Sequence, residues 1–170
     1  MLSSGLPDAR AAGHAASARP PLPPLPPSTN LAPRTKTHGC LPRGALPDPA
    51  CSPGAVFSNA TQAGICVRGY SGRVRRVSES TKAAVYREYG IASHRRGEFE
   101  VDHLVSLELG GSNAISNLWP EAASPSPGFH EKDRVENYLH AQVCASQMSL
   151  RRAEHEIATN WLAIYRQMSP

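Results

Sequence analysis

Asp102 and His103 stand side by side, a carboxylate next to an imidazole. Gly110-Gly111-Ser112-Asn113 follows, and then Asn117-Leu118-Trp119-Pro120. A neutral histidine accepts a proton near neutral pH, because its reference pKa is about 6.5. A carboxylate binds hard divalent cations, and Mg²⁺ is the usual partner of phosphates. Together they supply two requirements of phosphodiester hydrolysis: deprotonation of the attacking water and neutralisation of developing charge.

The element carrying the pair sets a condition. Phe99, Val101, Val105, Leu107 and Leu109 are apolar at odd positions; Glu98, Glu100, Asp102, Ser106 and Glu108 are polar at even ones. That alternation predicts a half-buried strand. Neighbours in a strand point to opposite faces, which places His103 on the apolar side and Asp102 on the polar side. Either the strand ends or bulges at His103, or His103 is a buried, hydrogen-bonded core residue. Gly110 to Asn113 ends the run, Ile115 to Trp119 is expected to return as a second strand, and Pro120 ends that strand or marks an edge.

Three helices are expected around this hairpin. One spans about Glu79 to Tyr89, with Ser78 as N-cap and Gly90 as the stop. A second runs from about Glu131 to Ala145 on Val135, Leu139 and Val143. The third follows Ser149 and repeats Ala153, Ile157, Trp161 and Tyr165 every four residues. The fold class is α+β with a small sheet. Residues 1–36 read as a disordered Pro/Ala-rich tail with polyproline II character, and 37–170 as one domain. Within it, 37–72 is irregular and cysteine-containing, 98–146 holds the hairpin and its following helix, and 149–168 is the last helix.

Charge is uneven. The chain carries +4 overall, yet eight basic side chains face only Glu79 and Glu88 between Arg68 and Arg96. Such clustering suits a polyanion and equally suits a plain solvated surface. Arg73, Arg75, Arg76, Lys82, Arg95, Arg96 and, further on, Lys132 are the candidate nucleic-acid contacts, and for Lys132 a salt bridge with nearby acids is an equal alternative. Four cysteines, Cys40, Cys51, Cys66 and Cys144, without a Cys-x-x-Cys pair, point to two disulfides in one of three pairings and to an oxidising compartment. A secreted or envelope location follows, although residues 1–30 show no apolar signal-type run. No stretch approaches the roughly 18 apolar residues of a membrane span.

Glu100-Val101-Asp102-His103-Leu104-Val105, Leu109-Gly110-Gly111-Ser112-Asn113, Asn117-Leu118-Trp119-Pro120-Glu121 and Lys132-Asp133-Arg134-Val135-Glu136-Asn137-Tyr138-Leu139-His140 occur in this order. The set resembles bacterial HNH endonucleases from about Cys40 to Tyr165. The resemblance implies a ββα-metal core, with His103 as general base and Asp102 as metal ligand. Asn117 would brace the loop that holds the base. His130 would be the second ligand, with Asn137 and His140 as alternatives. It further implies one divalent ion (Mg²⁺ first; Mn²⁺, Zn²⁺ or Ni²⁺ otherwise) and a nucleic-acid substrate, DNA before RNA, cleaved with little sequence preference. The competing expectations are a non-catalytic, disulfide-stapled module for an anionic partner and a structural zinc domain.

Overall fold

The computed structural model describes residues 23–168. The nine elements are β1 (Ser28–Asn30), β2 (Ala55–Phe57), α1 (Gln62–Ile65), α2 (Tyr70–Val74), α3 (Glu79–Glu88), β3 (Phe99–His103), β4 (Leu118–Ala122), α4 (Phe129–Cys144) and α5 (Leu150–Met168). The fold is mixed α and β, with two antiparallel two-stranded sheets, β1–β2 and β3–β4. The three expected helices are present. Ser78 caps α3 by accepting from the Thr81 amide, 3.1 Å away, and Ser149 accepts from the Arg152 amide at the start of α5. Helix α5 breaks at Asn160, whose backbone is non-helical and whose Oδ1 caps the Ala163 amide.

The hairpin differs from the alternation pattern. Strand β3 stops at His103, and Leu107–Leu109 forms a 3₁₀ turn. Ser106 drives this: its hydroxyl accepts from Glu108 N, and its carbonyl accepts from Leu109 and Gly111. The turn buries Leu104, Val105, Leu107 and Leu109 together, as alternation could not. Gly111 is compelled here, because a Cβ would lie 1.8 Å from the Val105 carbonyl oxygen. The return strand also starts later than expected: Ile115–Asn117 is a 3₁₀ turn, and β4 runs through Pro120, opposite Val101. In a two-stranded sheet every strand is an edge, so a residue without N–H is tolerated.

Two apolar clusters flank this hairpin. Val135, Leu139 and Val143 of α4 pack with Ala153, Ile157 and Trp161 of α5, and Val105 and Leu109 join them. Val85 of α3 and Tyr89, its C-cap, pack with Val101, Leu104, Leu118 and Trp119. The tail boundary moves earlier than residue 36. Residues 28–30 pair with β2, Arg34 forms a salt bridge with Glu88, and Lys36 lies 3.0 Å from Asp48. The expected tail over 1–22 lies outside the described residues.

Both disulfides form, Cys40–Cys51 and Cys66–Cys144, which is compatible with an extracellular location. Among the described residues no helix is long and apolar enough to cross a membrane. The bridges close sequence separations of 11 and 78 residues. On loop entropy the shorter contributes about 2.8 kcal/mol and the longer about 4.5 kcal/mol. Replacing Cys66 and Cys144 with Ala should therefore lower the urea midpoint more than replacing Cys40 and Cys51; equal losses would refute the entropic ordering.

Candidate functional site

His103 closes β3 opposite Leu118, and Asp102 sits opposite Trp119. The pairing is regular through both residues, so the two side chains leave opposite faces of the strand. The imidazole is buried (2% exposed) yet reaches the wall of a cavity of about 440 Å³, with Arg75, Arg76, Lys82, Tyr86, Glu100 and Phe129 also on the wall.

Asn113 fixes the ring. Its Nδ2 donates to Val74 O (2.8 Å) and its Oδ1 accepts from Arg76 N (3.1 Å). Those two bonds define which amide atom is oxygen. His103 Nε2 lies 3.2 Å from that Oδ1 and so must carry the proton and donate. Nδ1 is left as the basic nitrogen. Burial pushes the imidazole pKa down to about 4; Asp102 and Asn113 oppose this, and Arg75 and Lys132 add to it. The ring is neutral across the physiological range.

Asn117 holds the loop after His103. Its Oδ1 accepts from Ala55 N (3.1 Å) and Val105 N (2.9 Å). Its Nδ2 donates to Val105 O (3.0 Å) and Ser112 O (2.9 Å). One fully buried amide thus pins β2, the end of β3 and the Gly110–Asn113 segment. These four bonds are compatible with the bracing role that the resemblance implies.

On the other face, Asp102 meets α4. Lys132 Nζ lies 2.5 Å from Asp102 Oδ2 and 2.8 Å from the His103 carbonyl oxygen, and it also pairs with Glu136. Lys132 is 0% exposed, and its three N–H bonds have three acceptors. Burial alone would lower its pKa, but Asp102, Glu136 and Glu121 outweigh that and raise it. Burial likewise acts to raise Asp102, and Lys132 overcomes it, so Asp102 is held below the usual carboxylate range. Glu121 is fully buried with neither carboxyl oxygen hydrogen-bonded among the described residues. Burial, reinforced by Asp102, lifts its pKa well above the ordinary value despite Lys132. Its neutral form is therefore favoured.

Several expected roles change. Lys132 is not a phosphate contact, because its ammonium is enclosed and saturated. Asp102 is engaged by that ammonium and turned away from His103. His130 is exposed in the first turn of α4, stacked near Phe129 at 4.3 Å. Asn137 bonds its own helix at Asp133 O, and His140 Nε2 sits by Ile65 O and Cys144 Sγ. Among the described residues the only trio of His, Cys, Asp or Glu ligand atoms within 4.8 Å is Cys66, His140 and Cys144, and both cysteines are disulfide-bonded. With Asp102 paired to the buried ammonium and His130 exposed, their arrangement does not suit a divalent ion held between the two. The basic candidates divide as well. Arg75, Arg76 and Lys82 share the cavity with His103. Arg73 donates to Arg68 O, Arg95 lies against Glu98, and Arg96 is exposed outside the lining.

Asn113, Glu121 and Glu136 were not singled out from the sequence. Asn113 and Glu121 lay inside segments read as turn and strand end, and Glu136 had only its i+4 spacing from Lys132 as a signal. Comparison with family models, curated proteins and solved structures finds no match.

The lowered His103 pKa has a sign. Between about pH 6.5 and 4 the unfolded chain takes up a proton that the folded ring refuses, so His103 stability is lost as pH falls through that window, up to about 3 kcal/mol. Glu136, raised to about 7 by burial against the pull of Lys132, has the opposite slope, so total stability does not isolate the histidine. NMR titration of the His103 ring should give a midpoint near 4; a midpoint near 6.5 would refute the buried neutral ring.

Proposed function

We propose that this chain hydrolyses phosphodiester bonds in nucleic acid, as an HNH-type endonuclease of low sequence specificity. The observation that carries the reading is a neutral imidazole, oriented by Asn113, on the wall of a cavity that also holds Arg75, Arg76 and Lys82. His103 Nδ1 takes the proton from the attacking water. The three cationic side chains meet the phosphate charge, as backbone contacts that carry no sequence information do. One P–O bond forms to the water oxygen and the bond to the leaving ester oxygen breaks; that oxygen takes a proton from solvent and the imidazolium returns its own to solvent, giving a phosphomonoester and an alcohol.

A ring with a pKa near 4 is a weak base on its own. The substrate corrects this. A bound phosphate places negative charge beside the ring, offsets Arg75 and favours imidazolium. The base thus strengthens when there is a water to deprotonate. Tyr86, Phe99 and Phe129 line the same cavity and offer faces for a base without reading its edges. DNA is the first expected substrate, and RNA the alternative.

The test is cleavage of supercoiled plasmid and of labelled single strands, with Mg²⁺, with Mn²⁺ and with chelator. Nicking is expected, and His103→Ala should reduce it about 10²–10⁴-fold, the range of a lost general base. Arg75→Ala and Arg76→Ala should weaken binding and flatten its salt dependence. No nicking by the folded protein, or equal nicking by His103→Ala, would refute the reading. Retention of nucleic acid without cleavage would leave the chain a binding module.

A further inference from the structure

The HNH resemblance gives Asp102 a divalent cation, and the fold gives it a different one. Lys132 Nζ is placed by α4 at 2.5 Å from Asp102 Oδ2, against Glu136 four residues along the same helix face, and 2.8 Å from the His103 carbonyl oxygen. Two carboxylates and a backbone carbonyl converging on one point form the donor set expected around a hard metal ion. Here an ammonium occupies that point. A lysine has three N–H donors and no more, and all three are spent. Glu121, buried nearby with no hydrogen-bond partner among the described residues, adds a third carboxyl to the surroundings.

We infer that Lys132 is the built-in cation of this site, holding on Asp102 the place of a divalent metal. It also grips the backbone of the catalytic-base candidate directly. Lys132 is a positioning residue: it reaches neither the cavity nor a substrate, and it acts through Asp102 and the His103 carbonyl. The charge on a bound phosphate is then met by Arg75, Arg76 and Lys82 across the strand. The assignment rests on the proposed function only where it concerns cleavage; the cation itself is tested by metal binding.

The experiment is Mn²⁺ binding to the oxidised chain, followed by the loss of the free-ion electron paramagnetic resonance signal and by thermal unfolding. Oxidised protein is used so that Cys66 and Cys144 offer no thiolates. The parent should bind no stoichiometric Mn²⁺ at millimolar ion, and its unfolding temperature should not move. Lys132→Ala removes the ammonium but leaves its acceptors, so this variant should take up one equivalent and be stabilised by it. Adding Asp102→Asn should abolish the uptake. One equivalent bound by the parent and lost in Asp102→Asn would overturn the inference, and so would a folded Lys132→Ala that binds none. If Lys132→Ala folds only in the presence of Mn²⁺, that dependence supports it. Should the parent nick plasmid, nicking should persist in chelator. Should it not nick at all, the proposed function fails while the metal-binding result still decides the cation.

Discussion

A single buried ammonium ties helix α4 to the end of strand β3. Lys132 comes from the first turns of α4 and reaches the end of β3, where it binds Asp102 and the carbonyl of His103. Taking a lysine out of water costs several kcal/mol, and only close opposite charges with full hydrogen bonding repay it. Both conditions hold, and the raised pKa of Lys132 reflects them. The surrounding carboxyls adjust to the one positive charge: Asp102 is stabilised as the anion, whereas burial drives Glu121 and Glu136 toward the neutral form. Removing one member of such a group leaves an uncompensated charge and costs about 3–5 kcal/mol. The helix-to-strand junction is thus specified by chemistry that an apolar contact would not supply.

The strand between the two faces makes this arrangement useful. Because β3 is regular to its last residue, the ion cluster lies on one side and the imidazole on the other. The ring is neutral, oriented by Asn113, and beside three cationic side chains. Asn117 keeps the following loop from relaxing by satisfying four backbone groups at once. Buried backbone groups without partners are costly, so that amide is a strong local constraint. Gly111 allows the loop to fold back until it touches the Val105 carbonyl. Positioning comes from rigid elements, and the cavity beside the ring is lined by Arg75, Arg76 and Lys82.

The helices were legible in the sequence because caps and apolar repeats are local signals. Ser78 and Ser149 cap where they should, and Val135, Leu139 and Val143 are all buried. Strand geometry sets Asp102 and His103 on opposite faces, whereas the resemblance implies that the strand breaks there so that both serve one site; β3 stays regular through both, and the strand geometry prevails. The strand boundaries were harder. Leu107 and Leu109 keep odd spacing inside a 3₁₀ turn, where their burial has nothing to do with alternation. The Lys132 network was legible only in part: a salt bridge with nearby acids is one of the two readings of that residue, but its full burial is not. Charged residues are almost never fully buried unless paired, and the partners of Lys132 lie 30, 29 and 4 residues away. Only the spatial meeting of β3 with α4 reveals that a residue expected on the surface is enclosed. The bracing role of Asn117, by contrast, came from the motif resemblance, and its four hydrogen bonds are a pattern that composition alone could not have supplied.

The proposed function makes His103 the base and has bound phosphate raise its pKa. The pH dependence of plasmid cleavage tests both parts, because kcat/KM reports the free protein and kcat reports the complex. An acid limb in kcat/KM with a midpoint near 4 is expected, as burial of the ring requires, together with a higher midpoint in kcat. Superimposed limbs in the two profiles, or an acid limb in kcat/KM centred near the ordinary histidine value of about 6.5, would contradict it.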